Sequence, residues 1–151
     1  MPHTKDELIK MINLDEPDYA EIMAKLTNDD IPLLNELAQD ENPAIATKAI
    51  SCLAYMNDDR AYAGIEKATK SSNPVLRVAA THAIRNMSNK AGAEKLIDKM
   101  LDDTDFGVKK FALKTVEASK MTNLKEKVKQ MNLRDSSEHI RTLSKQVMEK
   151  L

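Results

Sequence analysis

Few side chains in this 151-residue chain could carry chemistry: one cysteine, three histidines and a scatter of carboxylates. A zinc centre needs three or four of His, Cys, Asp and Glu converging on one point. His3, His82 and His139 stand far apart in the chain and Cys52 sits on the apolar side of its segment, so no metal is expected. Paired carboxylates do acid–base work when their surroundings drive their pKa values apart. Asp58-Asp59 and Asp102-Asp103 fall at turns, where capping of helix N–H groups accounts for them. Gly64, Gly92 and Gly107 are isolated, which leaves neither a phosphate-cradling glycine loop nor a nucleophile elbow. No catalytic residue and no cofactor are expected, and the chain reads as a non-enzymatic protein.

The elements that hold these residues are helical. With 3 glycines, 5 prolines, no tryptophan, 3 tyrosines and 2 phenylalanines, the chain has little of the turn and pleat chemistry that sheets depend on. Hydrophobic residues at 42% suffice for a buried core, which favours an all-α fold over disorder. The N-terminal residues include Lys5, Asp6, Glu7 and Lys10, where a signal peptide would need an apolar run. With no long apolar run and a single cysteine, a cytoplasmic protein with no membrane contact is expected.

A repeat runs through the helices. Asn42-Pro43-Ala44-Ile45, Asn73-Pro74-Val75-Leu76, Asp105-Phe106-Gly107-Val108 and Ser137-Glu138-His139-Ile140 align without gaps, with their second residues spaced 31, 32 and 32 apart. Asn, Asp and Ser at the first position are N-cap residues, and Pro at the second presets the helical φ. Counting from the second residue as zero, offsets 2, 5, 6, 9, 10 and 13 share one apolar face at a 3.6-residue period. Lys48 alone clearly breaks that face, while offset 6 stays small as Ala49, Ala80, Ala112 and Ser144, as expected where helices approach closely. A second amphipathic stretch precedes each of these helices, carrying Leu34 and Leu37, Ala61 and Ile65, Leu96 and Ile97, or Leu124 and Val128. Repeats of two helices are therefore predicted at 29–57, 58–88, 89–120 and 121–151, after a degenerate pair at 1–28, giving about five stacked pairs in an α-solenoid.

These residues resemble the HEAT repeat family, in particular the short bacterial and archaeal form first noted in bilin lyases. Ser72-Asn73-Pro74-Val75-Leu76-Arg77-Val78-Ala79-Ala80 is closest to that family's second helix, which reads Asp, two spacers, Pro, spacer, Val, Arg, spacer, Ala-Ala. Asp103 to Ala112 keeps the Asp and Val with Lys for Arg, and Asp135 to Arg141 keeps Asp, Ile and Arg. The first repeat departs from the pattern with Ala46 and Lys48 in place of Arg and Ala. The resemblance covers about 120 residues and implies an armadillo-like superhelix. One repeat architecture hosts scaffolds, transport factors, lyase subunits and DNA-repair enzymes, so function rests on the surface.

Stacked pairs leave a long curved inner surface made by the second helices, suited to an extended partner. Offsets 4, 7 and 11 lie opposite the apolar face, and the predicted partner-binding set is Thr47, Ile50, Ala54, Val78, Thr81, Arg85, Lys110, Leu113 and Glu117. Ile50, Val78 and Leu113 are expected to form an exposed patch with a charged rim of Glu21, Arg85, Lys110 and Glu117, as protein interfaces do. Charge is divided along the chain: residues 1–60 hold 5 basic and 13 acidic side chains, and residues 61–151 hold 18 and 11. A protein partner is thus expected, with nucleic acid disfavoured for want of an aromatic platform among the lysines and a homodimer through a terminal repeat left open. The alternatives are a HEAT-like subunit of a bilin lyase-like enzyme, or a nucleic-acid-binding repeat protein using the basic second half.

Overall fold

The computed structural model describes residues 2–151; Met1, which opens the predicted pair 1–28, lies outside the described residues. The chain forms α1 (Lys5–Ile12), α2 (Tyr19–Lys25), α3 (Ile31–Leu37), α4 (Pro43–Ala54), α5 (Asp59–Thr69), α6 (Pro74–Ile84), α7 (Lys90–Met100), α8 (Phe106–Ala118), α9 (Lys125–Arg134) and α10 (Glu138–Glu149). Short 3-10 turns at Asn28–Asp30 and Thr122–Leu124 lead into α3 and α9, and no strand occurs among the described residues. None of these helices is long and apolar enough to cross a membrane.

Each second helix starts where the repeat places it. Asn42, Asn73, Asp105 and Ser137 accept from the backbone N–H of Ala44, Val75, Val108 and Ile140 respectively, satisfying donors that a helix start leaves orphaned. Two residues earlier, Asp40, Ser71, Asp103 and Asp135 each accept the N–H of that same cap residue, at 2.8 to 3.1 Å. The turn inside each of these four pairs is thus fixed from the same two positions. That explains why Asn, Asp and Ser replace glycine there.

Helices pair as α3–α4, α5–α6, α7–α8 and α9–α10, and the pairs stack. The second helices α4, α6, α8 and α10 pack closely on one another, whereas successive first helices touch far less. The second helices therefore line the inner, shorter side of the arc, as a curved solenoid requires. One continuous core runs through the stack, from Leu8 and Ile12 through Leu34, Leu53, Ile65, Ile84, Leu96 and Val116 to Val147. Close approach also decides a glycine: a Cβ at Gly64 on α5 would lie 1.9 Å from Asn35 Oδ1 on α3, so the carboxamide occupies the space a side chain would fill.

Ion pairs tie the later repeats together. Arg77 on α6 pairs with Asp103 in the next repeat, and Lys109 on α8 with Asp135 in the one after. Where the first repeat has Ala46 in place of the cation, the next repeat has Ser71 in place of the acid. Both partners are missing together at that seam, so no buried charge is left unpaired.

The N-terminal segment is tied to the turn before α3 by a buried carboxylate. Asp30 is fully buried and accepts from the backbone N–H groups of His3 and Thr27, with His3 Nδ1 at 2.9 Å. Burial raises its pKa, but these hydrogen bonds outweigh it and leave the carboxyl below its ordinary value.

Candidate binding face of the second helices

A helix alone has one buried and one exposed face; a second helix in a stack is flanked on three sides. Its own first helix covers the back, and the preceding and following second helices cover the flanks. This geometry corrects the predicted binding set. Ile50, Thr81 and Leu113 at offset 7 are fully buried and Ala54 is nearly so, because that offset points at the next second helix instead of at solvent. They are seam residues and form no exposed patch. Thr81 shows the seam directly: its carbonyl accepts from Thr115 Oγ1 on α8 at 2.9 Å, and Thr115 Oγ1 accepts from Arg85 Nε at 2.9 Å. Arg85 is thereby half-buried between α6 and α8.

Thr47, Val78, Lys110 and Glu117 keep partial exposure, so five of the nine predicted residues, with Arg85, border solvent. Of the predicted rim, Glu117 pairs with Lys150 at 3.3 Å and Glu21 with Lys25 at 3.5 Å, so both acids are met by lysines of this chain.

The open strip lies one position over, at offsets 4, 5 and 8. Offset 5, predicted as core, is half-buried in all four repeats as Lys48, Ala79, Phe111 and Leu143. Lys48 therefore breaks no core pattern; it sits at the margin of the inner face, with Nζ 3.4 Å from Asn13 Oδ1. Beside these residues stand Ser51 and Tyr55, His82, Lys114 and Gln146.

Aromatic rings gather on this strip, which sequence reading did not anticipate. Tyr55 stacks on Tyr19 with centroids 5.8 Å apart, His82 on α6 lies 4.8 Å from the Phe111 ring on α8, and Phe106 meets His139 edge-on at 6.2 Å. Lys110 and Lys114 place their ammonium groups 5.5 and 5.6 Å from the Phe111 centroid, within cation–π range. Four of the five aromatic residues are thus on or beside the second helices. The missed signal was their spacing: the two rings of each pair come from different repeats, so only the stacking brings them together. His82 has a pKa below the ordinary histidine value, first through partial desolvation against its neighbours and then through the positive charges of Arg85 and Lys114.

No metal-binding group of three or more His, Cys, Asp and Glu exists among the described residues. Cys52 is buried in α4, which pushes its thiol up to about 12 and keeps it protonated. A depression between the turns of the last two repeats is lined by Asp103, Lys109 and Asp135, which are already engaged in ion pairs.

No curated protein matches this sequence. Among solved structures, the chain is similar to one in the complex of CpcE and CpcF of phycocyanin lyase from Nostoc sp. PCC7120, with a TM-score of 0.68 and 18% identity over 95% of this chain and 96% of that one. That likeness concerns the fold. The family described as HEAT repeats matches residues 31–117, more than half of the chain and the stretch that holds α3 to α8. With its capped helix pairs, small residues at the crossing and ion pairs between repeats, the chain belongs to the HEAT repeat family.

Proposed function

We propose that this protein is a non-enzymatic scaffold or adaptor that binds a protein partner along its concave face in the cytoplasm. The observation that carries this reading is the open strip, where apolar, aromatic and cationic side chains from consecutive second helices lie side by side. Such a mixture of apolar centre and charged margin suits a protein interface. The similar chain was solved in a complex of two different polypeptides, which supports a protein partner here. Self-association through the last pair has less support: Lys125, Lys129 and Lys145 stand exposed where the preceding repeat has buried Ala93, Ile97 and Leu113.

A photo-crosslinking residue at Ala79, compared with one at the outward-facing Lys67, tests the proposal. A discrete protein adduct at position 79 and none at 67 is expected; nucleic acid at position 79, or equal labelling at both, overturns it. A second reading, a lyase-like enzyme subunit, is favoured only by the origin of that similar chain. An absorbance shift on adding a bilin to the purified protein would turn the choice toward it.

A further inference from the structure

The cations of the open strip have no ion-pair partner among the described residues. Lys5, Lys25, Arg60, Arg77, Lys109, Lys127 and Lys150 each reach a carboxylate within 4 Å. Among the described residues no carboxylate comes that close to Arg85, Lys110 or Lys114. Arg85 uses Nε for Thr115, and among the described residues its terminal nitrogens have no hydrogen-bond partner. Glu117 on α8 is already engaged by Lys150. The middle of the concave face is therefore positive although the whole chain has a net charge of −1. The depressed pKa of His82, lowered in part by Arg85 and Lys114, is a second sign of that positive field.

The same place is apolar. Val78, Ala79 and Phe111 are half-buried at its floor, and Val75 is 54% exposed at the start of α6. We infer that the middle of the concave face takes an extended acidic protein segment, its carboxylates meeting Arg85, Lys110 and Lys114 and an apolar side chain lying on Ala79 and Phe111. This rests on the proposed scaffold reading and adds the chemistry of the partner. A single-stranded nucleic acid fits less well at this point, because His82 and both lysines already flank the Phe111 ring on which a base would stack. Four second helices about 9–10 Å apart span about 30 Å, so an extended segment of about nine residues covers them.

The test uses fluorescence anisotropy with the full chain and three labelled probes of that length: a Glu-Asp-Leu repeat, a Lys-Lys-Leu repeat and an oligo-dT strand. The acidic peptide should bind. Lys110→Glu with Lys114→Glu should weaken it about tenfold or more, and Lys67→Glu with Lys70→Glu, on exposed outer positions, should leave it unchanged. No binding of the acidic peptide, equal binding of the Lys-Lys-Leu peptide, indifference to the inner double variant, or preference for oligo-dT each overturns the inference. The two readings fail separately: a protein adduct at position 79 without acidic-peptide binding sinks only the acidic segment, whereas loss of both sinks the scaffold as well.

Discussion

Arg77 holds Asp103 with two parallel hydrogen bonds, Nε to Oδ2 at 2.9 Å and a terminal nitrogen to Oδ1 at 3.1 Å, across the boundary between two repeats. The same Asp103 Oδ1 accepts the N–H of Asp105, the N-cap of α8, while Arg77 also donates to the carbonyl of Ser71 in its own turn. One guanidinium therefore couples the turn of one repeat to the turn of the next. Stacking register and helix start are set by the same contact.

Arg77→Met should cost about 2–3 kcal/mol, below the cost of breaking a fully buried pair because both side chains keep some solvent contact. Urea denaturation measures it. Ala46→Arg at the seam that lacks the acid should give no comparable gain, since Ser71 offers no carboxylate.

Leu113→Ala should cost about 2–5 kcal/mol, because the side chain is fully buried in the seam between second helices. Lys110→Glu on the same helix should change stability by only about 0.5 kcal/mol or less. Thermal melts of the two variants separate the seam from the face: a neutral Leu113→Ala would put that residue back on the surface.

Asp135 gives the fold an acid limit. Burial raises its pKa, but the hydrogen bonds from Lys109 and from the backbone N–H of Ser137 outweigh burial and leave it below the ordinary carboxylate value. A group with a lowered folded pKa contributes stability above its unfolded pKa and loses it as pH falls through the folded one. Stability should therefore decline below roughly pH 4, and Asp135→Asn should flatten part of that decline in denaturation midpoints measured from pH 6 to 3.

Cys52 sets the opposite limit. With the thiol pushed up to about 12 by burial, a thiol reagent at pH 8 should leave the native protein unlabelled and react fully in denaturant. Because the unfolded thiol ionises first, stability should fall as pH rises past about 8.5, and Cys52→Ala should remove that part of the fall. Rapid native labelling would show that α4 is open to solvent.

Lys129 and Lys145 occupy positions that hold Ile97 and Leu113 in the preceding repeat, so the exposed end of the stack is polar apart from Leu133, which is 61% exposed. Lys129→Ile with Lys145→Leu should restore an internal-type seam at that end. Light scattering should then report concentration-dependent association that the unaltered chain lacks.

Helix pairing was legible in the sequence because capping and the 3.6-residue apolar period are local. The four N-caps, the small residues at offset 6 and the cores of the first helices all stand where a few neighbouring residues place them. What the period could not distinguish was solvent from a neighbouring helix. Ile50, Thr81 and Leu113 sit opposite the first buried face and would be exposed on a lone helix; stacking turns that side into a second buried face. Phe111 moved the other way, from predicted core to the margin of the inner surface, where it gathers His82 from the previous repeat and Lys110 and Lys114 from its own helix. The unpaired cations were equally hidden, since a sequence counts charges but does not say which lysine has a carboxylate within reach. Local propensity determined the helices and their caps. The seams, the open strip and its uncompensated charge were decided by curvature, because only the packed array fixes which sides of each second helix are covered.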